Sequence, residues 1–422
     1  MFLEISKKKY QNRKIHRKFG GCNRKIHRKF GGYIILTATK KKMLMVTNEI
    51  PRRILTQLQS IKSLKKVIVV LGPRQVGKTT LLGQLTAQEK DVLSFDCDNQ
   101  DERLALENKT KTELAALAGN AKTIIIDEAQ RVRNIGMTLK MFGDLKLQAN
   151  VFVTGSSSLQ LANDINEPAT GRILEFTLFP LSLQEIADNS SWKEEKRLLA
   201  QRMIYGTYPE IVKQPDHARL LLQNIVNSYL YKDLLEYKGI KKPDILRKLV
   251  VSLALQVGSE VSYNELGNLI GADKETIENY IDLLEKCFVV FRLDSFSRNM
   301  RNEIKKGKKI YFFDNGVRNA VINNFAPLEM RTDTGALWEN LMIAERRKRH
   351  AYAGRFVQQY FWRTQKQQKI DLIEECDGQI NAVEFKWNTN KSVRLPSGFK
   401  EAYSTASIQT ITPDNYQSFV CV

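Results

Sequence analysis

Val67-Ile-Val-Val-Leu-Gly-Pro-Arg-Gln-Val-Gly-Lys-Thr79 decides the fold. The apolar run Val67–Leu71 reads as a strand, Gly72-x4-Gly77-Lys78-Thr79 fits the phosphate-loop (Walker A) pattern in full, and an amphipathic helix is expected over Thr79–Gln88. The glycines let backbone N–H groups close around phosphate oxygens, and the start of the helix adds a favourable dipole. Lys78 would reach the β and γ phosphates of a nucleoside triphosphate, with ATP the expected ligand, and the Thr79 hydroxyl would ligate Mg²⁺. The loop's expected binding residues are Gly72, Pro73, Arg74, Gln75, Val76, Gly77, Lys78, Thr79 and Thr80.

A second segment completes the site. Ile124-Ile-Ile-Asp127-Glu128 is an apolar strand ending in two carboxylates, the Walker B arrangement. Asp127 would hold the Mg²⁺ through water, and Glu128 would orient or deprotonate the attacking water. The pattern is common alone. About fifty residues after a phosphate loop, with one strand between, it marks P-loop ATPases that use an adjacent catalytic glutamate. Strand Val151–Gly155 leads into Ser156-Ser-Ser158, where Thr154 or Ser156 would sense the γ-phosphate or merely cap a turn. Gly171-Arg172 is a candidate arginine finger, in cis or towards a neighbouring subunit, against the plainer reading of a surface charge. Arg131 and Arg133 are lesser candidates. The expected catalytic set is Lys78, Glu128 and Arg172, and the metal set is Thr79 and Asp127.

Outward from this stretch, strand candidates Val92–Asp96, Thr123–Asp127, Val151–Gly155 and Ile173–Leu178 alternate with amphipathic helices such as Thr112–Ala118. That alternation predicts a parallel α/β sheet. After Pro180 helices dominate to about residue 287, and another α/β segment starts near Lys309. The expected regions are 50–180, 181–310 and 311–422, and the length suffices for separate cores. The predicted class is α/β: a P-loop parallel sheet, a helical winged-helix-like region, then an α/β nuclease-like domain.

Composition excludes little but places the charge. Residues 1–44 hold fourteen Lys or Arg against one Glu, +13 of the formal +20, so the other 378 residues carry only +7. Within that tail Asn12–Gly21 recurs unchanged as Asn23–Gly32, and the stretch is expected to be disordered. It reads either as a basic arm for nucleic acid or, preferably, as upstream sequence included by a mistaken start, with Met43 or Met45 the true first residue. The five cysteines are scattered without metal-ligand spacing, which suits a reducing cytoplasm. Apolar runs such as Val67–Leu71 fall far short of the ~18 residues that cross a bilayer, so no membrane role is expected.

In the middle region, Val261–Leu293 has winged-helix character. Ser262-x-x-Glu265 reads as a capping box, Gly271 ends that helix, Asp273 caps a second, and Val289–Leu293 would be the wing strand. The second helix exposes Asp273, Glu275, Glu278, Asp282 and Glu285 against Lys274 and Lys286. Such a face is repelled by phosphates, so a protein contact is expected there in preference to DNA.

Towards the C-terminus, Ile370–Glu375 and Ile380–Trp387 alternate and are joined by Asp377-Gly378, a strong hairpin signal. A two-residue turn puts Asp371 opposite Glu384, their Cβ atoms about 4.5–5.5 Å apart, with Lys386 on the same face. Two such carboxylates could share one Mg²⁺ while the lysine polarises a phosphate or water. Glu339, on a helix expected over Gly335–His350, would add a ligand. Helix Glu, strand Asp and Glu-x-Lys make the PD-(D/E)xK nuclease arrangement, and the plainer reading is a cross-strand ion cluster. Nearby Arg298, Arg301, Lys305, Lys306, Lys308, Lys309 and Arg346–Arg349 would suit phosphate contact, though such runs are commonly solvated surface.

Residues 50 to about 390 resemble a prokaryotic family of AAA-superfamily ATPases with a C-terminal nuclease-like domain of unknown function. The resemblance rests on Gly72–Thr79, Ile126-Asp-Glu-Ala129, Thr154-Gly-Ser-Ser157, Gly171-Arg172, Phe179-Pro-Leu-Ser182 with Glu185, and Tyr205-Gly-Thr-Tyr-Pro209. It continues through Tyr311-Phe-Phe-Asp314 with Gly316, Trp338-Glu-Asn340, Trp362-Arg363, Lys369-Ile-Asp371 and Glu384-Phe-Lys386. It implies ATP binding in a cytoplasmic protein. Lys369 departs from the family, which looks more often acidic there, and its charge would weaken metal binding beside Asp371.

Two functions compete. One is an ATPase that acts on DNA through its C-terminal domain. The other is a nucleotide-controlled switch or scaffold, oligomeric or not, that binds a protein partner through the winged-helix region and has a degenerate C-terminal domain.

Overall fold

The computed structural model describes residues 49–145, 147–156, 171–228, 240, 242–297, 307–364, 368–388, 396–403 and 406–422. The repeated basic tail, Met43 and Met45, Ser157 and Ser158, and Arg298, Arg301, Lys305 and Lys306 lie outside the described residues.

Strand β1 (Val67–Leu71) is buried at every position. Successive side chains of a strand point to opposite faces, so a strand covered on both sides reads as an unbroken apolar run. Here Val67, Val69 and Leu71 join one apolar cluster, while Ile68 and Val70 join another. With β2 (Val92–Asp96), β3 (Thr123–Asp127), β4 (Asn150–Gly155) and β5 (Ile173–Thr177), β1 forms a sheet of order β2-β3-β4-β1-β5 in which every pair is parallel. Helices α1 (Ile54–Ser60) and α2 (Lys78–Thr86) cover the face of Ile68 and Val70. On the other face lie α3 (Gln100–Leu106), α4 (Lys111–Ala118) and α5 (Ile135–Asp144). The α/β class and the parallel sheet expected from the sequence are what the chain forms.

Helices follow: α6 (Leu183–Asn189), α7 (Trp192–Arg197), α8 (Leu199–Tyr205), α9 (Pro209–Lys213), α10 (Ala218–Ile225) and α11 (Pro243–Leu255). After them come β6 (Glu260–Val261), α12 (Tyr263–Ile270), α13 (Lys274–Lys286), β7 (Val290–Ser295), β8 (Lys308–Phe312) and α14 (Asn315–Val321). The chain ends with α15 (Thr334–Tyr352), β9 (Gln358–Arg363), β10 (Lys369–Cys376), β11 (Gln379–Phe385), α16 (Ser397–Ala402), β12 (Ser407–Ile411) and α17 (Tyr416–Val420). Gly271, at φ 81°, ends α12, and the Asp273 side chain accepts from the Thr276 N–H to start α13. Ser262 caps α12 through the Glu265 N–H, without the reciprocal bond of a full box.

Two expectations need correction. The boundary at 310/311 cuts through β8, which pairs with β6 and β7 on its two edges and so belongs to the middle region. The segment after it stays there too: Asn319 on α14 donates to the Met203 and Ile204 carbonyls at 3.3 and 2.8 Å, and Asp314 accepts from the Thr207 N–H at 2.7 Å. Nor are the cores separate. β7 pairs in parallel with β9, giving one sheet of order β12-β11-β10-β9-β7-β8-β6, and a single apolar cluster runs from Ile54 and Ile68 through Leu249 and Ile281 to Trp338 and Phe419. The acidic face of α13 is also partly neutralised, because Arg292 on β7 pairs with Asp282 (2.8 Å) and Glu285.

Candidate functional site

The site forms where β1 gives way to α2. Leu71 holds the turn by accepting from the Leu178 N–H at 2.7 Å. At Gly72 a Cβ would overlap the Leu178 carbonyl oxygen, and Gly77 has φ 91°, so glycine is required at both by contact and by backbone. Gln75 (φ 63°) shares the left-handed region. Thr80 lies half-buried behind Gly77, and Val76 is fully buried.

Lys78, 5 % exposed, donates to the Gly72 and Pro73 carbonyls at 3.1 and 3.0 Å. Burial lowers its ammonium to about 8, against the opposing pull of Glu128 and Asp127. The Thr79 hydroxyl donates to Asp127 at 2.7 Å, and the Thr154 hydroxyl donates to the other Asp127 oxygen. Thr154 also accepts from the Glu128 N–H at 3.1 Å. β4 lies between β1 and β3 in the sheet, which is why Thr154 meets both the Asp127 carboxylate and the Glu128 backbone. Glu128 has φ 52°, an uncommon value for a residue with a side chain, at the point where β3 turns away.

Gln130 was not singled out from sequence. Its amide donates to Glu128 at 2.5 Å and to the Ser156 hydroxyl at 2.9 Å, so it orients the glutamate against the end of β4. Its contacts, made across the end of β4, are set by the fold. Arg52 was missed as well. Buried in α1's entry turn, it donates to the Val76 carbonyl within the phosphate loop at 2.7 Å.

Arg172 is a correction to the cis finger. Its carbonyl accepts from the Val67 N–H, at the start of β1, whereas the phosphate loop follows the end of that strand. Its guanidinium pairs with Asp144. Arg131 pairs with Asp98, and the Arg133 N–H donates to Glu107 at 3.3 Å.

In the C-terminal region the hairpin register holds. Leu372 pairs with Val383, one step from Asp371 and Glu384, and the Phe385 N–H donates to Asp371 at 3.1 Å. Glu339, Asp371, Glu384 and Lys386 come together, with each carboxylate held by a lysine. Lys309 is 3.0 Å from Glu339, Lys369 is 3.5 Å from Asp371, and Lys386 is 2.8 Å from Glu384. Tyr311 donates to Glu339 at 2.6 Å. Burial, then Asp371, pushes Glu339 and Glu384 above the usual carboxylate range. Burial pulls Lys386 down, but Glu384, Asp371 and Glu339 outweigh it and hold it up. Among the described residues no group of three or more His, Cys, Asp and Glu could hold a metal. Asp371 Oδ1 is buried without a hydrogen-bond partner among the described residues, while Lys309, Lys369 and Lys386 bring positive charge to the cluster. Lys308 lies near Asp294, and Arg346 is bound to Glu374 at 2.6 Å, so part of the basic surround is engaged internally.

The phosphate loop, the strand order and the paired carboxylates at the end of β3 define an α/β P-loop ATPase fold of the AAA type. Residues 64–187 match the family model of an AAA domain. Residues 196–328 and 334–417 match two models described as domains of unknown function, DUF8612 and DUF4143. An uncharacterized protein of Mycobacterium tuberculosis is 25% identical over 333 residues, covering 78% of this chain and 71% of that one. One from Methanocaldococcus jannaschii is 27% identical over 310 residues, covering 67% of each. A Walker-type ATPase of Pyrococcus abyssi overlays with a TM-score of 0.45 at 14% identity, covering 64% of this chain and 94% of that one. Among the described residues no helix is long and apolar enough to cross a membrane.

Proposed function

We propose that this chain binds ATP with Mg²⁺ and hydrolyses it, and that the nucleotide state controls the rest of the molecule. The observation that carries this is the convergence of Thr79, Asp127, Thr154 and Glu128 at the carboxyl ends of the interior strands β1, β3 and β4, beside a loop whose glycines admit phosphate. Thr79 and Asp127 offer hard oxygen donors side by side and are the residues that would hold the metal. Mg²⁺ supplies neutralisation of phosphate charge when bound. Lys78 exchanges its two loop carbonyls for phosphate oxygens. Glu128, aimed by Gln130, accepts the proton of the attacking water, and Thr154 fixes Asp127 and the Glu128 backbone together. Ser156, held by Gln130, is the remaining candidate for contact with the γ-phosphate.

For domains we propose an ATPase over residues 50–180, a helical and winged-helix-like region to about 330, and a nuclease-like domain beyond. The winged-helix reading is supported by the succession α11, β6, α12, α13, β7, β8. The nuclease-like reading is supported by the succession α15, β9, β10, β11, α16, β12, by the parallel β11–β12 pair, and by the meeting of Glu339, Asp371, Glu384 and Lys386. Lys309 on Glu339 and Lys369 near Asp371, additional to the lysine that Glu-x-Lys itself supplies, add positive charge that favours a degenerate domain, and so the switch or scaffold reading.

The test is ATP turnover by wild type and Glu128→Gln, each with and without duplex, single-stranded and branched DNA. Turnover that is abolished in Glu128→Gln and indifferent to DNA supports a nucleotide-controlled switch. DNA stimulation with a steep salt dependence, or Mg²⁺-dependent nicking lost in Asp371→Ala and Glu384→Ala, would restore the DNA-processing reading.

A further inference from the structure

One buried guanidinium joins the phosphate loop to the C-terminal region. Arg52 is 5 % exposed and spends its donors on four groups: Glu185 through Nε (3.1 Å), the Val76 carbonyl through Nη1 (2.7 Å), and the Phe179 carbonyl (2.6 Å) and Tyr352 hydroxyl (3.2 Å) through Nη2. Glu185 is held in turn by the Arg53 and Ser182 N–H groups at 2.8 and 2.9 Å. The Tyr352 hydroxyl accepts from the Phe179 N–H at 3.2 Å.

Tyr352 is the last residue of α15, and the same helix grips the segment after β5 at two more points. Glu345 accepts from the Leu183 N–H at 2.8 Å, and Lys348 donates to the Leu181 carbonyl at 3.0 Å. Positions 345, 348 and 352 share one helix face. The segment they grip begins beside Leu178, the residue against which Gly72 packs. From Tyr352, α15 runs back to Glu339, about 20 Å at the usual rise per residue. A single helix therefore has one end on the phosphate loop's anchor and the other in the carboxylate–lysine cluster.

We infer that Arg52 is a positioning residue for nucleotide binding: by fixing the Val76 carbonyl it sets the phosphate loop, and through Tyr352 it ties the loop's state to α15. The inference rests on the ATP-binding reading proposed above. A planar fork of five donors meets these four acceptors at once, and an ammonium does not.

The test uses the full chain and a fluorescent ATP analogue with Mg²⁺. Arg52→Ala strips Glu185 of its partner and is expected to fold poorly, so Arg52→Lys and Tyr352→Phe are the working variants. Arg52→Lys should weaken binding at least about fivefold while melting as a single folded species, and Tyr352→Phe should weaken it less. In wild type, nucleotide should change amide exchange in the last turns of α15, and Tyr352→Phe should lose that response. Tight binding and an unchanged exchange response in both variants would overturn the inference while leaving ATP binding intact. A wild type that binds no better than Lys78→Ala would overturn the ATP reading and this one with it.

Discussion

The Thr79 hydroxyl donates to Asp127 at 2.7 Å, so the first turn of α2 and the end of β3 meet across the position of β4. Two segments about fifty residues apart become one polar site because β4 inserts between their strands and lends Thr154 to the Asp127 carboxylate and the Glu128 N–H. The expected consequences follow from that geometry.

Glu128→Gln should keep ATP binding and lose turnover by about 10²-fold or more, the usual contribution of a positioned general base. Gln130→Ala should lose less, because it removes the orientation and keeps the base. Single-turnover hydrolysis beside equilibrium binding separates the two steps. Equal losses of binding and turnover in Glu128→Gln would show that the residue holds nucleotide and performs no chemistry.

Lys78 makes binding pH-dependent. Its ammonium is lowered to about 8, so nucleotide affinity should fall as pH rises past 8, except as far as bound phosphate itself holds the proton. Stability should move the other way. The unfolded lysine titrates near 10.5, so between about 8 and 10.5 the unfolded state binds more protons and unfolding becomes harder as pH rises. Comparing the pH dependence of the melting temperature in wild type and Lys78→Met isolates this contribution.

Gly72→Ala should destabilise the chain by about 1–3 kcal/mol, the usual range for overpacking, and should abolish nucleotide binding. The new methyl meets a backbone carbonyl at Leu178, which no rotamer change can move aside. Denaturant melts and analogue binding check both halves.

Arg172→Ala should leave ATP turnover unchanged, because the side chain lies at the far end of β1 on Asp144. Turnover that drops in the variant and depends on protein concentration would instead mean that Arg172 reaches a second copy of the chain.

Glu339→Gln should be neutral or stabilising at pH 7. Burial and Asp371 raise the folded carboxyl, so its favourable contribution is present below the unfolded value near 4.5 and is lost as pH rises through the folded one. The difference in melting temperature between variant and wild type should shrink on acidification to pH 4.

Local chemistry and spacing were enough for much of this. A phosphate loop needs a strand, two glycines, a lysine and a hydroxyl in consecutive order, and all of these are contiguous in the chain. The Asp371–Glu384 register was legible for the same reason, since a two-residue turn leaves the pairing no freedom. By itself, the sequence determined the parallel sheet, the residues of the phosphate loop and the hairpin, because each depends on neighbours a few residues away.

Tertiary structure alone decided the rest. That Arg172 faces away from the loop depends on which end of β1 it joins. That β8 belongs to the middle region depends on partners nearly fifty residues earlier, at Glu260 and Val261. The neutralisation of each C-terminal carboxylate depends on lysines from three different strands or strand ends. Arg52 reaches Tyr352 across 300 residues, and no spacing rule links them. Such contacts are set by how whole layers pack, and hydrogen-bond donors of a buried guanidinium find their acceptors only once those layers are in place.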